Sequence, residues 1–275
     1  MSRVEIINRT EESFLPKRKI QKIVDLVLKE EDREFPGVLV VAAVDREEIR
    51  NLKKRFFGQD HYTDVISFLY GFSDKDGIWG EIVICPAVAK EEARARGVRN
   101  EEEMSIVLIH GLLHLLGYGD EEPQERQVME ERQEALYQLL REEEEREKLV
   151  RKAIRAKNHA YAPYSNFPVG AALRGWGGEI FTGCNVENAS LGLTICAERV
   201  AVAKAVSQGV REFEKLAIVA DSSSYCFPCG ACRQVLYEFA PQLEIIAAKS
   251  DKDYEVISLA SLLPRAFLLE NGRKE

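Results

Sequence analysis

The sequence has no apolar run approaching the ~18 residues of a membrane-spanning helix. Its first residues, MSRVEIINRTEE, are polar and charged, unlike a secretory leader. The expectation from both absences is a cytoplasmic protein with no membrane partner. Cysteine is sparse, six residues in 275, and none precedes Cys85. That scarcity excludes a disulfide framework and suits a reducing compartment. A basic domain is missing too: residues 1–146 hold 22 Lys+Arg against 32 Asp+Glu, and residues 147–275 hold 16 against 14. Nucleic-acid binding through bulk charge is therefore excluded, which leaves only a local basic groove open. Internal repeats are absent.

What is present suffices for two domains, since 45% of the 275 residues are hydrophobic. The run Arg141-Glu142-Glu143-Glu144-Glu145-Arg146-Glu147-Lys148 marks a shift in composition. Lacking Gly, Pro and Ser, it reads as an exposed helix passing from one module (1–146) to the next (147–275) rather than as a flexible linker. In the first module, apolar periodicity predicts strands over Val4–Ile7, Gly37–Val44, Thr63–Phe68 and Glu81–Cys85. Helices are predicted over Lys17–Glu30, Ala87–Arg96 and Glu101–Leu116, and again after Pro123. The second module opens with a helix to about Tyr161. Strands follow near Val169–Leu173, Glu179–Cys184, Lys215–Asp221 and Glu244–Ala248, with helices starting near Cys196 and Cys229. Both modules therefore read as α/β (α+β), a sheet with helices on its faces.

The most specific chemistry lies in Cys196-Ala197-Glu198 and Pro228-Cys229-Gly230-Ala231-Cys232. Three thiolates can hold Zn2+ and leave its fourth position open, which separates a catalytic zinc from a closed structural one. Glu198, not itself a ligand, is placed to carry protons. A Cys or His followed by x-E, then P-C-x-x-C, is the signature of the zinc nucleobase deaminases. The structural alternative is a closed knuckle using Cys226 or Cys184 as fourth ligand, or a redox pair. A knuckle has no use for Glu198, and a redox pair has none for Cys196. Helix starts at Cys196 and Cys229 would stabilise thiolates. Arg199 and Arg233 follow ligand positions and are candidates to hydrogen-bond the sulfurs and restore Lewis acidity.

Residues 147–267 resemble the cytidine deaminase family. The resemblance rests on Tyr164-Ser165-Asn166-Phe167-Pro168-Val169-Gly170-Ala171-Ala172, on Cys184-Asn185-Val186-Glu187-Asn188-Ala189, on both cysteine motifs and on Leu262-Leu263-Pro264-Arg265-Ala266-Phe267. It implies an α/β/α sandwich, one zinc per domain, and cytidine or deoxycytidine as substrate. It further implies that Asn185 and Glu187 hold the ribose, that Phe167 stacks on the base, and that Phe267 closes the pocket of a neighbouring subunit in a homotetramer. Leu191 departs from the Tyr often found there. From the residues alone, Asn185 and Glu187 also suit a turn and Phe167 a core position.

In the first module, His110-Gly111-Leu112-Leu113-His114 puts two imidazoles at i and i+4 on one helix face, able to share a metal. Gly111 stands where H-E-x-x-H enzymes carry their glutamate, so a protease-type base is missing. The longer string through Leu115-Leu116-Gly117-Tyr118-Gly119-Asp120 resembles the YbeY-type endoribonucleases of ribosomal RNA maturation, as do Thr63–Phe68 and Gly80–Ile84. The resemblance covers roughly residues 1–140. It implies a mixed sheet with a metal-binding helix, a second zinc, and rRNA or the ribosome as partner. Asp120 occupies the position of the family's third His, and a carboxylate can ligate zinc. Phe57 occupies that of the family's Arg, with Lys54 or Arg55 as the nearest substitutes. The expectation is thus a two-enzyme chain; the alternative is a deaminase joined to an inactive ribosome- or partner-binding unit.

Overall fold

The structure, a computed structural model, describes residues 3–35, 37–71 and 77–268. By its internal contacts the chain divides into two compact units, Met1–Arg141 and Glu142–Glu275.

The first unit runs β1 (Arg3–Asn8), α1 (Lys17–Glu30), β2 (Val38–Ala43), α2 (Arg46–Phe57), β3 (Val65–Leu69), β4 (Ile78–Ile84), α3 (Pro86–Arg96) and α4 (Asn100–Leu115). A long helix, α5 (Pro123–Lys157), begins in this unit. The sheet order is β1-β2-β4-β3, parallel except for β3, which runs antiparallel to β4. A parallel strand covered on both faces reads as a continuous apolar run, and every residue of β2 (VLVVAA) is buried. Leu39 and Val41 share a core with α1, α4 and the first half of α5. Ala42 lies on the opposite face with Ile49 of α2. Helix α4 is apolar nearly all round because it is buried nearly all round. His110 and His114 interrupt that run as half-buried polar groups.

The second unit continues with β5 (Val169–Gly175), β6 (Ile180–Cys184), a 3-10 turn (Leu191–Leu193), α6 (Ala197–Ser207), β7 (Phe213–Ala220), α7 (Gly230–Phe239), β8 (Glu244–Ala248), β9 (Tyr254–Ser258) and the short α8 (Leu259–Leu262). The order is β6-β5-β7-β8-β9, with only β7 and β8 parallel. Leu149, Val150 and Ala153 of α5 cover one face, against Ala172, Ala217, Val219 and Ile246. Ala197 and Ala201 of α6 and Leu236 of α7 cover the other, against Leu216, Ile218 and Ile245. This is the expected α/β/α sandwich. At Gly183 a Cβ would lie 2.2 Å from the Ala197 carbonyl oxygen. Only glycine lets the start of α6 sit this close to β6.

Three features go beyond the sequence reading. Helix α2 has Ile49 as its only fully buried residue, too short an apolar stripe to register as periodicity. Its signals are in its caps: the Asp45 carboxylate accepts from the Glu48 amide at 2.8 Å, and Gly58 closes the helix with φ 70°. The edge strand β9 is mostly polar and half-exposed. The charged run Arg141–Lys148 is helical as expected, but its middle is half-buried rather than exposed. Two ion pairs account for that: Arg146 reaches Glu244 at 2.9 Å, and Arg174 reaches Glu145 at 2.6 Å.

Candidate functional site

Two side-chain constellations with metal-ligand chemistry converge among the described residues, one in each unit. In the second unit Cys196 is the N-cap residue of α6, and Cys229 is that of α7. Cys232 lies in the first turn of α7, so all three thiols face the positive ends of helix dipoles. Their sulfurs lie within 4.8 Å of one another, and Cys196 and Cys229 are 3.9 Å apart. Sulfurs on one tetrahedral zinc stand roughly 3.8 Å apart, from bonds of about 2.3 Å, so the set fits. A hydrogen bond from Cys232 pulls the Cys196 thiol down to about 6, and the same bond pushes the Cys232 thiol upward. A metal would take over the role of that shared proton. Burial pushes Cys226 up to about 11, and its sulfur lies outside the three-thiol cluster.

Glu198, in the first turn of α6, is 5% exposed. Burial first, then the nearby Cys196 charge, hold its carboxyl above the usual range. A carboxyl shifted upward in this way is better matched to general acid–base work than a free one. Arg199 acts on Cys196 through its charge. Arg233 donates from Nε to the Pro228 carbonyl (2.7 Å) and from Nη1 to the Leu262 carbonyl (2.8 Å). It therefore braces the segment that leads into Cys229.

The other sequence-derived positions lie in loops of the same unit. Asn185 is buried; its Oδ1 accepts from the Val169 amide at 2.8 Å, and its Nδ2 donates to the Phe167 carbonyl at 3.0 Å. The Glu187 carboxylate accepts from the amides of Tyr164 (2.9 Å) and Ser165 (3.2 Å) and from the Ser165 hydroxyl, and this last bond chiefly lowers its pKa. Both residues thus shape the loop that presents Phe167, which is 39% exposed. Phe267 is more exposed, and its backbone is held in both directions by one side chain. Gln234 Nε2 donates to the Phe267 carbonyl (2.7 Å), and Gln234 Oε1 accepts from the Phe267 amide (3.2 Å). Nothing in the sequence singled out Gln234.

In the first unit His110, His114 and Asp120 bring one donor atom each within 4.8 Å of the others. His114 Nε2 lies 3.8 Å from Asp120 Oδ2. The two Nε2 atoms stand 3.0 Å apart. Each Nδ1 faces an oxygen that can only accept: Gln133 Oε1 for His110 (2.9 Å) and the Tyr118 carbonyl for His114 (3.1 Å). With both Nδ1 atoms turned to acceptors, the two Nε2 atoms face each other, where they can share a proton or a metal ion. This is the arrangement of metal-binding histidines whose outer nitrogens are tied down. Two nitrogens on one tetrahedral zinc stand roughly 3.3 Å apart, from bonds of about 2.0–2.1 Å. Burial, and then the charge of His110, depress the His114 pKa, which keeps a lone pair available. Gln133, on α5 and 23 residues from His110, sits in a polar helical run with no signal that could have found it.

Gly111 explains the missing glutamate. A Cβ there would lie 2.9 Å from Ile82 Cγ2, and 3.1 Å from both Ser67 Oγ and Val65 Cγ2. The Ser67 hydroxyl also donates to the Gly111 carbonyl at 2.9 Å. Helix α4 lies directly on β3 and β4, and no longer side chain fits. The three donors open into a cavity of about 350 Å³ also lined by Lys53, Phe57, Thr63 and Asp64. Of the basic run, Lys53 reaches this cavity. Lys54 is paired with Asp60 at 2.9 Å, and the Arg55 guanidinium lies over the Phe56 ring.

Comparison with known proteins accounts for both halves. Residues 5–141 match the family model described as endoribonuclease YbeY. Residues 143–248 match that of the cytidine and deoxycytidylate deaminase zinc-binding region. A cytidine deaminase of Sporosarcina psychrophila is 48% identical over 126 residues, covering 46% of this chain and 93% of the relative. An endoribonuclease YbeY of Staphylococcus epidermidis is 35% identical over 127 residues, covering 43% of this chain and 82% of the relative. A crystal structure of cytidine deaminase from Burkholderia pseudomallei is 48% identical, with a TM-score of 0.42; it covers 44% of this chain and 97% of that one. No helix among the described residues is long and apolar enough to cross a membrane.

Proposed function

Because the chain belongs to the YbeY endoribonuclease family in its first half and to the cytidine deaminase family in its second, we propose that it carries two hydrolytic activities. They meet inside α5, near residue 146. The second module deaminates cytidine or deoxycytidine to the uracil nucleoside. The first cuts single-stranded RNA and acts on ribosomal RNA or the ribosome.

In the deaminase, Cys196, Cys229 and Cys232 would hold one zinc, which when bound supplies Lewis acidity and acidifies water. Glu198 takes one proton from the attacking water and delivers it to the ring nitrogen N3. It then takes the proton of the new C4 hydroxyl and passes it to the amino group, which leaves as ammonia while the C4 carbonyl forms. Its burial suits both directions of transfer. Asn185 and Glu187 are the ribose contacts; their hydrogen bonds to residues 164–169 fix them for that task. Phe167 offers its ring to the base. Phe267, held by Gln234, closes the pocket of a neighbouring subunit in a homotetramer. The observation that carries this reading is the convergence of three sulfurs beside a buried carboxyl.

In the ribonuclease, His110, His114 and Asp120 would hold a second zinc. Its charge would stabilise the extra negative charge on phosphate, and Lys53 adds a cation at the cavity wall. Asp120 and Phe57, where the family carries His and Arg, favour a second reading, in which this module binds RNA or the ribosome without cutting. Metal analysis of the full chain with nuclease and deaminase assays tests both. Two zinc per chain and both activities are expected. Two zinc with no RNA cleavage would establish the binding unit, and an inactive deaminase would overturn the first assignment.

A further inference from the structure

The cavity beside His110, His114 and Asp120 has a wall that metal chemistry does not require. Lys53 and Phe57 both line it, and they stand at i and i+4 on α2, hence on one helix face. Phe57 is 52% exposed and its neighbour Phe56 is 55% exposed. Both rings rest on Phe68 of β3: Phe56 meets it edge-on at 5.0 Å between centroids, and Phe57 is tilted against it at 6.2 Å. One side of each ring is thus supported from within the module while the rest faces solvent. Two adjacent, supported and exposed phenylalanines are costly unless something covers them.

The cations around them are unevenly engaged. Arg50 and Lys54 are both paired with Asp60, and Arg55 is drawn over Phe56 at 5.3 Å. Among the described residues Lys53 has no ion-pair partner, and it faces the cavity. An ammonium and an aromatic face lining one cavity with the metal donors match the two components of a nucleotide. The ammonium suits a phosphate, and the ring suits a base.

Resting on the ribonuclease reading of this cavity, we infer that Phe57 is a stacking platform for an unpaired nucleobase of single-stranded RNA, with Lys53 on an adjoining phosphate. Base–aromatic stacking tolerates any base, so the subsite selects unpaired strands rather than a sequence. It also supplies affinity that does not depend on charge, in a module whose acidic residues outnumber its basic ones by ten.

The test is binding of two short oligoribonucleotides of equal length, one intact and one carrying abasic positions, to the full chain and to Phe57→Ala, Phe57→Leu and Phe57→Trp. Phe57→Ala should weaken the intact strand about tenfold, a typical loss for one stacked base, and Phe57→Trp should restore it. The abasic strand should bind wild type and Phe57→Ala equally. Zinc content and circular dichroism confirm that each variant is folded. Full restoration by Phe57→Leu, unchanged binding by Phe57→Ala, or equal losses for both strands would overturn the inference. The last result would assign Phe57 to the fold or to a protein contact. Failure of wild type to bind or cut any oligoribonucleotide would overturn the ribonuclease reading itself, and the stacking site with it.

Discussion

His110 and His114 hold their Nε2 atoms 3.0 Å apart while each Nδ1 donates to a fixed oxygen. Two lone pairs so placed repel each other unless a cation or a proton lies between them. The protein maintains this arrangement from two directions, through Gln133 on one helix and the Tyr118 carbonyl at the end of another. A divalent metal held by both Nε2 atoms and Asp120 would relieve it, as a shared proton does in its absence. The full chain should therefore take up a second equivalent of zinc that His114→Ala removes, with the equivalent at Cys196, Cys229 and Cys232 retained. Elemental analysis of both proteins gives the answer; unchanged metal content in the variant would dispose of the second site.

Gln133 offers a finer test. Gln133→Leu keeps helix propensity and approximate size but deletes the acceptor that fixes the His110 tautomer. Loss of such an outer contact costs about 10–100-fold in metal affinity. Competitive titration with a zinc chelator should show that loss at one site only. An effect of equal size at the cysteine site would mean general unfolding instead.

Glu198→Gln is close in size but cannot carry the proton. Deamination should fall by at least the roughly 10²–10⁴ that one positioned acid–base group contributes. Zinc bound at the cysteines should be unchanged, because Glu198 is not in the sulfur cluster. Steady-state turnover beside metal content separates a chemical defect from loss of the site.

Gly111→Ala tests the close contact of α4 with the sheet. The added methyl would press on Ile82, Ser67 and Val65 together, and overpacking of this kind costs about 1–3 kcal/mol. The first module should unfold at lower denaturant, with RNA cleavage and deamination followed in parallel. Only the ribonuclease should fail early.

Much of this was legible in the sequence, for identifiable reasons. Strand β2 is apolar throughout because both its faces are covered, and the cysteine spacing places thiols at two helix starts. Helix α2 was not legible, since one buried residue makes no stripe and its signals were an aspartate and a glycine at its ends. The supporting residues were hidden for a different reason. Gln133 and Gln234 act through hydrogen bonds to His110, 23 residues away, and to the backbone of Phe267, 33 residues away. Composition and periodicity carry no trace of such pairings. The residues that do chemistry have distinctive types; those that orient them are ordinary polar residues whose role is set only by the fold.

Helix α5 bears on how the chain can be divided in the laboratory. Its early turns supply Gln133 to one metal-binding helix, and its late turns supply Leu149, Val150 and Ala153 to the core beneath the other sheet. A cut anywhere between them leaves one fragment with a frayed, shortened end, because helical stability falls with length. Anyone expressing the two activities separately should let the fragments overlap and give each its own copy of the intervening turns.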